Sequence, residues 1–422
     1  IYTGEDTLSL HDALPIYPKS ATYTTKMGAT LMATEQAGNA WQRSFFGQIL
    51  HVWRSVFQDK GVFTMLLVAP VLYGFFYPWP YQNEVVRHVP VAIVDYDHSS
   101  LSATIVRYAE SSPRLQSHVV NDENSAKQLM WQGKIAGYLV IPSGLYQQVL
   151  NGQTAKVSIL ANGNYFLLNK QVQTGFLEVI GTVSAGAKIQ RNIAQGQDVT
   201  MARGSVAAVN LTINPLYNPT EGYGSYIVPA VSILILQQMF LMGTAMLVGT
   251  WAEQDRHRAS MKTWLARIVG LSCFGMVMGC FYYGWVFSMN DYTRNQNLMG
   301  SLVLLALFFP ATIAMGCVLG VWFGARERAM QILVAVSMPM LFVSGISWPY
   351  QMLPTLLQWL RWAIPSTAGM NASVMLNQMG VPLSYVKFEL LVLVLILLVC
   401  VGLLWLLASK DSEWLTKPVT QG

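Results

Sequence analysis

Asp95, Asp97, Ser99 and Ser100 place side-chain oxygens at nearly alternate positions, with Tyr96 and His98 between them. Oxygens at alternate positions are what a hard cation such as Ca²⁺ needs, but the further ligands of a complete loop do not follow. Asp and Ser also hydrogen-bond to nearby backbone, so the run reads better as a strand-to-helix turn with capping side chains. The six histidines are scattered without an HExxH, and the four cysteines, Cys273, Cys280, Cys317 and Cys400, sit in apolar runs without a CxxC. Neither set has metal-ligand spacing, and no metal site is expected. No GxxxxGK(S/T) phosphate loop occurs, so this chain is expected to bind no cofactor, and ATP and Mg²⁺ belong on another polypeptide. Gln237 and Gln238 lie inside a long apolar run, where they must either bond to a neighbouring helix or line a wet substrate path. Both readings stay open.

The elements that hold these residues are set by solvent. The chain is 53% hydrophobic and only 11% charged, against about a quarter charged in soluble domains. Lipid is therefore its main solvent. The net charge of +5 is spread over the ends of apolar runs and forms no single basic stripe, which argues against nucleic acid as a partner. Charge-free runs at 61–77, 226–252, 268–289, 298–325, 330–348 and 390–409 predict about six membrane helices, since roughly 20 apolar residues cross a bilayer. The first is short and contains Pro70. Arg43, Arg54 and Lys60 precede the first run; Arg256, Arg258, Lys262 and Arg267 follow the second; Arg326 and Arg328 follow the fourth; Lys410 and Lys417 follow the last. Lys and Arg stay on the cytoplasmic side of short loops, so both termini are expected in the cytoplasm and 78–222 outside. Gly275 and Gly279, like Gly316, Gly320 and Gly324, have the spacing that lets helices approach closely in lipid, and packing within the chain is the preferred reading.

Segment 78–222 regains charge and alternates short apolar runs with helix-like stretches, the pattern of an α/β domain that folds in water. Strands are predicted at 89–95, 117–120, 135–141 and 156–161, with helices at 100–109, 124–131, 143–150 and 166–194. Ahead of the first span, Trp41, Phe45, Phe46, Ile49, Leu50, Trp53, Val56 and Phe57 recur at helical spacing and predict an amphipathic helix over 38–60 on the cytoplasmic leaflet. Residues 1–26 fit no signal peptide and read as a non-native leader. The fold expected is a membrane all-α bundle of about six transmembrane helices with an inserted α/β extracytoplasmic domain, the later helices filling 226–409 and a cytoplasmic tail occupying 410–422.

Three regions resemble the ABC-2 type permeases, in particular the multidrug-type exporter subunits with a large domain between the first two spans. One is the opening Val89-Pro90-Val91-Ala92-Ile93-Val94-Asp95, with Asp97, Ser99 and Ser102, continued by Gly137-Tyr138-Leu139-Val140-Ile141-Pro142 and Gly144. Another runs from Gly345-Ile346-Ser347-Trp348-Pro349 through Leu353-Pro354 to Ala363-Ile364-Pro365-Ser366-Thr367, where that family breaks a helix into short pieces at the outer face. The third is Glu253, Asp255, Arg256 and Arg258, at the place where the family carries a charged run leading to its ATPase contact, though without the usual E-x-G-T form.

The resemblance implies a permease of the bacterial inner membrane that works as a homo- or heterodimer with a second permease subunit. ATP and Mg²⁺ are held by a separate ABC ATPase subunit, whose closure pushes on the loop from Glu253 to Arg267. It also implies export of a hydrophobic or amphipathic substrate, and a periplasmic adaptor leading to an outer-membrane channel. The rival expectation is a non-transporting receptor or assembly platform resembling the phage infection protein family.

Overall fold

The computed structural model describes residues 44–206, 215–294 and 296–409. The expected leader at 1–26, residues 38–43 of the expected amphipathic helix and the tail at 410–422 lie outside the described residues. The chain divides into two compact units, one reaching to Phe76 and resuming at Pro229, the other Tyr77–Val228.

The unit Tyr77–Val228 is built on a four-stranded sheet in the order β2-β1-β3-β4, with β1 Val89–Asp95, β2 Leu115–Val120, β3 Gly137–Ile141 and β4 Ser158–Ala161. β1 runs parallel to β2 and β3, and β4 closes the far edge antiparallel to β3. β1 is central and nearly all apolar because both its faces are covered. Val91 and Ile93 face one cluster with Leu115, Leu139, Val172 and Phe176, while Ala92 and Val94 face a second with Ala126 and Tyr138. The helices α3 Ser100–Glu110, α4 Glu123–Trp131, α5 Leu145–Leu150, α6 Phe166–Ala194 and α7 Val199–Val206 complete the unit. Gly175 lets α6 press on the sheet, since a β-carbon there would lie 2.7 Å from Leu115 Cγ.

The other unit is helical. α1, Phe45–Gln58, starts at a Ser44 cap and buries Ile49, Val52 and Val56 while Phe46, Leu50 and Phe57 stay exposed, the one-sided pattern of an amphipathic helix. Among the described residues, five helices are long and apolar enough to cross a membrane: α2 Lys60–Tyr81, α8 Tyr223–Glu253, α9 Met261–Met289, α10 Leu298–Phe323 and the last, Lys387–Ala408. The run 330–348 does not make a continuous sixth. Its helix, α11, is Arg326–Val343, and Arg326, Glu327 and Arg328 occupy its first turn. The chain then breaks at Ser344 and at Gly345, whose φ of 92° favours glycine. Short pieces follow: α12 Thr355–Leu360, then α13 Pro365–Ser373, extended by a π turn at Val374–Gln378. The last span is α14. Prolines 349, 354 and 365 end or begin these pieces because each lacks a backbone donor.

Candidate functional site

The helix ends that gather Asp59, Glu253 and Arg326 form one charged end of the bundle. Asp59 stands between α1 and α2 and caps the second of these, its Oδ1 accepting from the N–H groups of Gly61 at 3.0 Å and Val62 at 3.1 Å. The Arg326 guanidinium forks onto both oxygens of the same carboxylate, Nη2 donating to Oδ1 at 2.9 Å and Nη1 to Oδ2. Gly61 leaves the space the guanidinium fills. Burial alone would raise the Asp59 carboxyl, but the Arg326 side chain and the two backbone donors outweigh it and hold it below its ordinary value. At the far end of α8, Glu253 Oε1 accepts from the backbone N–H of Arg326 at 2.9 Å. A single residue at the start of α11 therefore joins the entry to α2 and the exit of α8.

The loop after Glu253 is tied to the end of the last span. Ala259 N–H donates to the Ala408 carbonyl at 3.1 Å and Trp264 Nε1 to the same carbonyl at 3.2 Å. Asp255 turns the chain with φ 53°, and Glu253, Asp255, Arg256 and Arg258 are all exposed. Arg267 lies between two indoles, 4.2 Å from the Trp251 ring and 4.5 Å from Trp264. His51 on α1 is pushed below its ordinary pKa by burial and by Arg256, Arg267 and Arg54. This end of the bundle is thus rich in positive charge. α1 is held to it by Trp53 Nε1, which donates to the Gly270 carbonyl at 2.8 Å.

Deeper in the bundle, Gln237 and Gln238 each join α8 to another element. Gln237 Oε1 accepts from the backbone N–H of Ser366 and its Nε2 donates to Met340 Sδ at 3.8 Å. α13 has no capping side chain of its own, so Gln237 supplies its cap from a different helix. Gln238 Nε2 donates to the Leu333 carbonyl at 2.7 Å, leaving its Oε1 buried without a partner. Thr244, Thr312, Ser366 and Thr367 also bury hydroxyls that make no hydrogen bond. Phe309 packs on Phe240 and on Phe308, with ring centroids 5.1 Å and 5.2 Å away.

The glycine pairs divide by role. β-carbons at Gly316 and Gly320 would lie 2.9 Å and 2.7 Å from Thr244 and Val248 Cβ, so these two let α10 press on α8. Gly275 and Gly279 accept Phe309 and Leu305 from α10. Gly324 is different: at φ 65° it ends α10 and meets nothing, a left-handed cap and not part of a packing seam.

In the other unit Asp95, Asp97 and Ser99 come together as a turn. Asp95 Oδ1 accepts from Asp97 N–H at 2.9 Å and His98 N–H at 3.1 Å. Asp97 Oδ2 accepts from Ser99 Oγ and from Tyr146 N–H at 3.2 Å, fastening α5 to the turn. Ser99 and Ser102 complete a reciprocal cap on α3. These oxygens already accept from protein donors, and their work is local folding.

Sequence reasoning missed Asp59 and the Trp251–Arg267–Trp264 stack. An Asp immediately before an apolar run is a helix-start signal, and Trp264 and Arg267 are three apart on one helical face. In a comparison against known families, the family described as ABC-2 family transporter protein matches residues 60–406. This chain belongs to that family. A search of curated proteins finds no match. As an ABC-2 transporter protein it is a multi-pass membrane subunit, of a family generally not itself catalytic and served by an ATPase partner. The match runs from the start of α2 to residue 406 within the last span, and takes in the inserted α/β unit.

Proposed function

We propose that this chain is the membrane-spanning subunit of an ATP-driven exporter of the bacterial inner membrane, moving a hydrophobic or amphipathic substrate and driven by a separate ATPase. The observation that carries the reading is Arg326, which holds Asp59 through its side chain and Glu253 through its backbone. A push on the loop from Glu253 to Arg267 reaches the first span, α8 and α11 together, and the Ala259 and Trp264 bonds extend it to α14. Free energy from ATP then acts through contacts that differ between two states of the bundle. Arg54, Arg256 and Arg267 at this end support a cytoplasmic orientation for it. The unit Tyr77–Val228 then lies outside, where it can meet a periplasmic adaptor and, through that, an outer-membrane channel. A second permease subunit completes the dimer.

The fifth crossing is broken in this reading. α10 ends and α11 begins at the charged end, while α14 returns to that end at Ala408. The chain therefore regains the opposite end through α11 and α13. The start of α13 meets Gln237, about 24 Å of helix away from Glu253. Its continuation meets the start of α10, where Asn297 Nδ2 donates to the Val381 carbonyl at 2.8 Å. α13 is thus a half-helix with its N-terminus at mid-depth. The unpartnered atoms of Gln238, Thr244, Thr312, Ser366 and Thr367 support a path that becomes wet when the bundle opens, because buried polar groups without partners call for water.

The test is efflux of a fluorescent amphipathic dye from cells expressing the chain with its ATPase. Glu253→Lys and Asp255→Lys are expected to lose ATP-dependent efflux while the subunit still inserts and still copurifies with the ATPase. Wild-type efflux in both variants would remove this loop from the coupling route.

A further inference from the structure

The Tyr77–Val228 unit carries a cleft of about 420 Å³ between α3, α5 and α6, a volume within the range of small-molecule sites. Leu101, Leu145, Ile180 and Val183 make its walls, and Lys188 and Arg191 stand on one face of α6 at its rim. Among the described residues, the lining holds no carboxylate and no aromatic ring. Arg191 lies over the turn at Gly152, where a β-carbon would come within 3.4 Å of Nη1, and its Nε is buried without a hydrogen-bond partner. Among the described residues, neither Lys188 nor Arg191 forms an ion pair. A buried donor on a permanent cation is costly to leave unmet. Arg191 lines a cleft whose apolar side chains are all aliphatic and whose polar ones include Gln153, Thr154 and Ser184.

We propose that this cleft binds an amphipathic anion, with an aliphatic tail on Leu101, Leu145, Ile180 and Val183 and a carboxylate or phosphate head held by Arg191 and Lys188. The missing carboxylates set the sign of the ligand's charge. The missing aromatic rings favour a flexible tail over a stacked base or ring. The planar fork of Arg191 matches either head group with paired donors, which the ammonium of Lys188 only supplements. Nothing in this site depends on ATP or on the direction of transport, so it stands apart from the exporter reading.

Equilibrium dialysis of the full chain in zwitterionic-lipid nanodiscs, with empty nanodiscs subtracted, tests the site using labelled octanoate and octyl phosphate. One saturable site is expected, tightening roughly fourfold per methylene from hexanoate to octanoate as each added group leaves water. Arg191→Gln should weaken octanoate about tenfold or more, Arg191→Lys less, and Ala187→Trp should block the cleft; the thermal midpoint of each variant confirms that it is folded. Octanol and octylamine should bind at least about tenfold more weakly than octanoate, since a lost charged hydrogen bond is worth that much. Octanol equal to octanoate, or binding unchanged in Arg191→Gln, overturns the proposal. Inorganic phosphate binding as tightly as octyl phosphate also overturns it, by showing a site for free anions that makes no use of the tail.

Discussion

Asp59 has three kinds of partner at once: the backbone it caps, the guanidinium it grips and, through Arg326, the helix that starts beyond it. Removing its charge by Asp59→Asn should cost about 1.5–3 kcal/mol at neutral pH, the usual worth of hydrogen bonds to a charged group. The folded carboxyl titrates below its ordinary value, so this stabilisation is present above about pH 4 and is lost as pH falls through the folded value. Thermal unfolding of the purified chain should therefore separate wild type from Asp59→Asn at pH 7 and bring them together in acid; a constant gap between the curves would contradict the assignment. Arg326→Lys should recover only part of the loss, because an ammonium cannot reproduce the two-pronged contact. Gln237 follows similar logic in a drier place. Gln237→Met keeps the volume but removes the acceptor for Ser366 N–H, and a lost helix cap of this kind costs about 0.5–2 kcal/mol, readable as a lower midpoint in the same assay.

Helices in this bundle are positioned by where bulk is missing. A β-carbon at Gly320 would crowd Val248 and the Ala245 carbonyl, whereas one at Gly402 on α14 would meet nothing within 4 Å. Gly320→Ala should destabilise by about 1–3 kcal/mol through overpacking, and Gly402→Ala should be neutral or stabilising by a few tenths, since alanine is the better helix former; equal effects in chemical unfolding would show that α8 and α10 do not meet as described. The element scale is also where sequence reads best. Charge-free runs marked α2, α8, α9, α10 and α14 because each must be apolar all round to live in lipid, and β1 to β4 were visible as short apolar runs between caps and turns. α11 was harder. Its apolar stretch is long enough on paper, but the break at Gly345 and the prolines beyond it divide the chain into pieces whose depth only tertiary contacts fix. The charged end was half legible: Glu253, Asp255, Arg256 and Arg258 stood out as a charged run, while the Asp59–Arg326 pair joins residues far apart in the chain and leaves no periodic signal. Gln237 and Gln238 were conspicuous as polar residues in an apolar run, yet their partners, a backbone donor on α13 and a carbonyl on α11, carry no side-chain signature at all.

At the scale of the whole molecule, connectivity constrains orientation more tightly than any one loop. The entry to α2, the exit of α8 and the start of α11 are bonded through Arg326, and the end of α14 is bonded to the loop after α8 and to the start of α9. If that end is cytoplasmic, the α/β unit inserted between α2 and α8 must be outside, and the connection from α11 to α13 must open toward the outside as well. Single cysteines can decide all three points in a background where Cys273, Cys280, Cys317 and Cys400 are replaced by alanine. His98→Cys, in the exposed turn after β1, should react with a membrane-impermeant maleimide in intact spheroplasts. Arg256→Cys should react only after permeabilisation. The deciding position is Trp348→Cys, which is 54% exposed in the connection after α11. Labelling from outside is expected if α11 and α13 together make one broken crossing, because a helix with three charges in its first turn leaves too few apolar residues to span alone. Labelling of position 348 only from the cytoplasmic side, with 98 still outside, would leave α14 without the route it needs to reach the far end, and the broken crossing would have to be abandoned even though the family assignment stood.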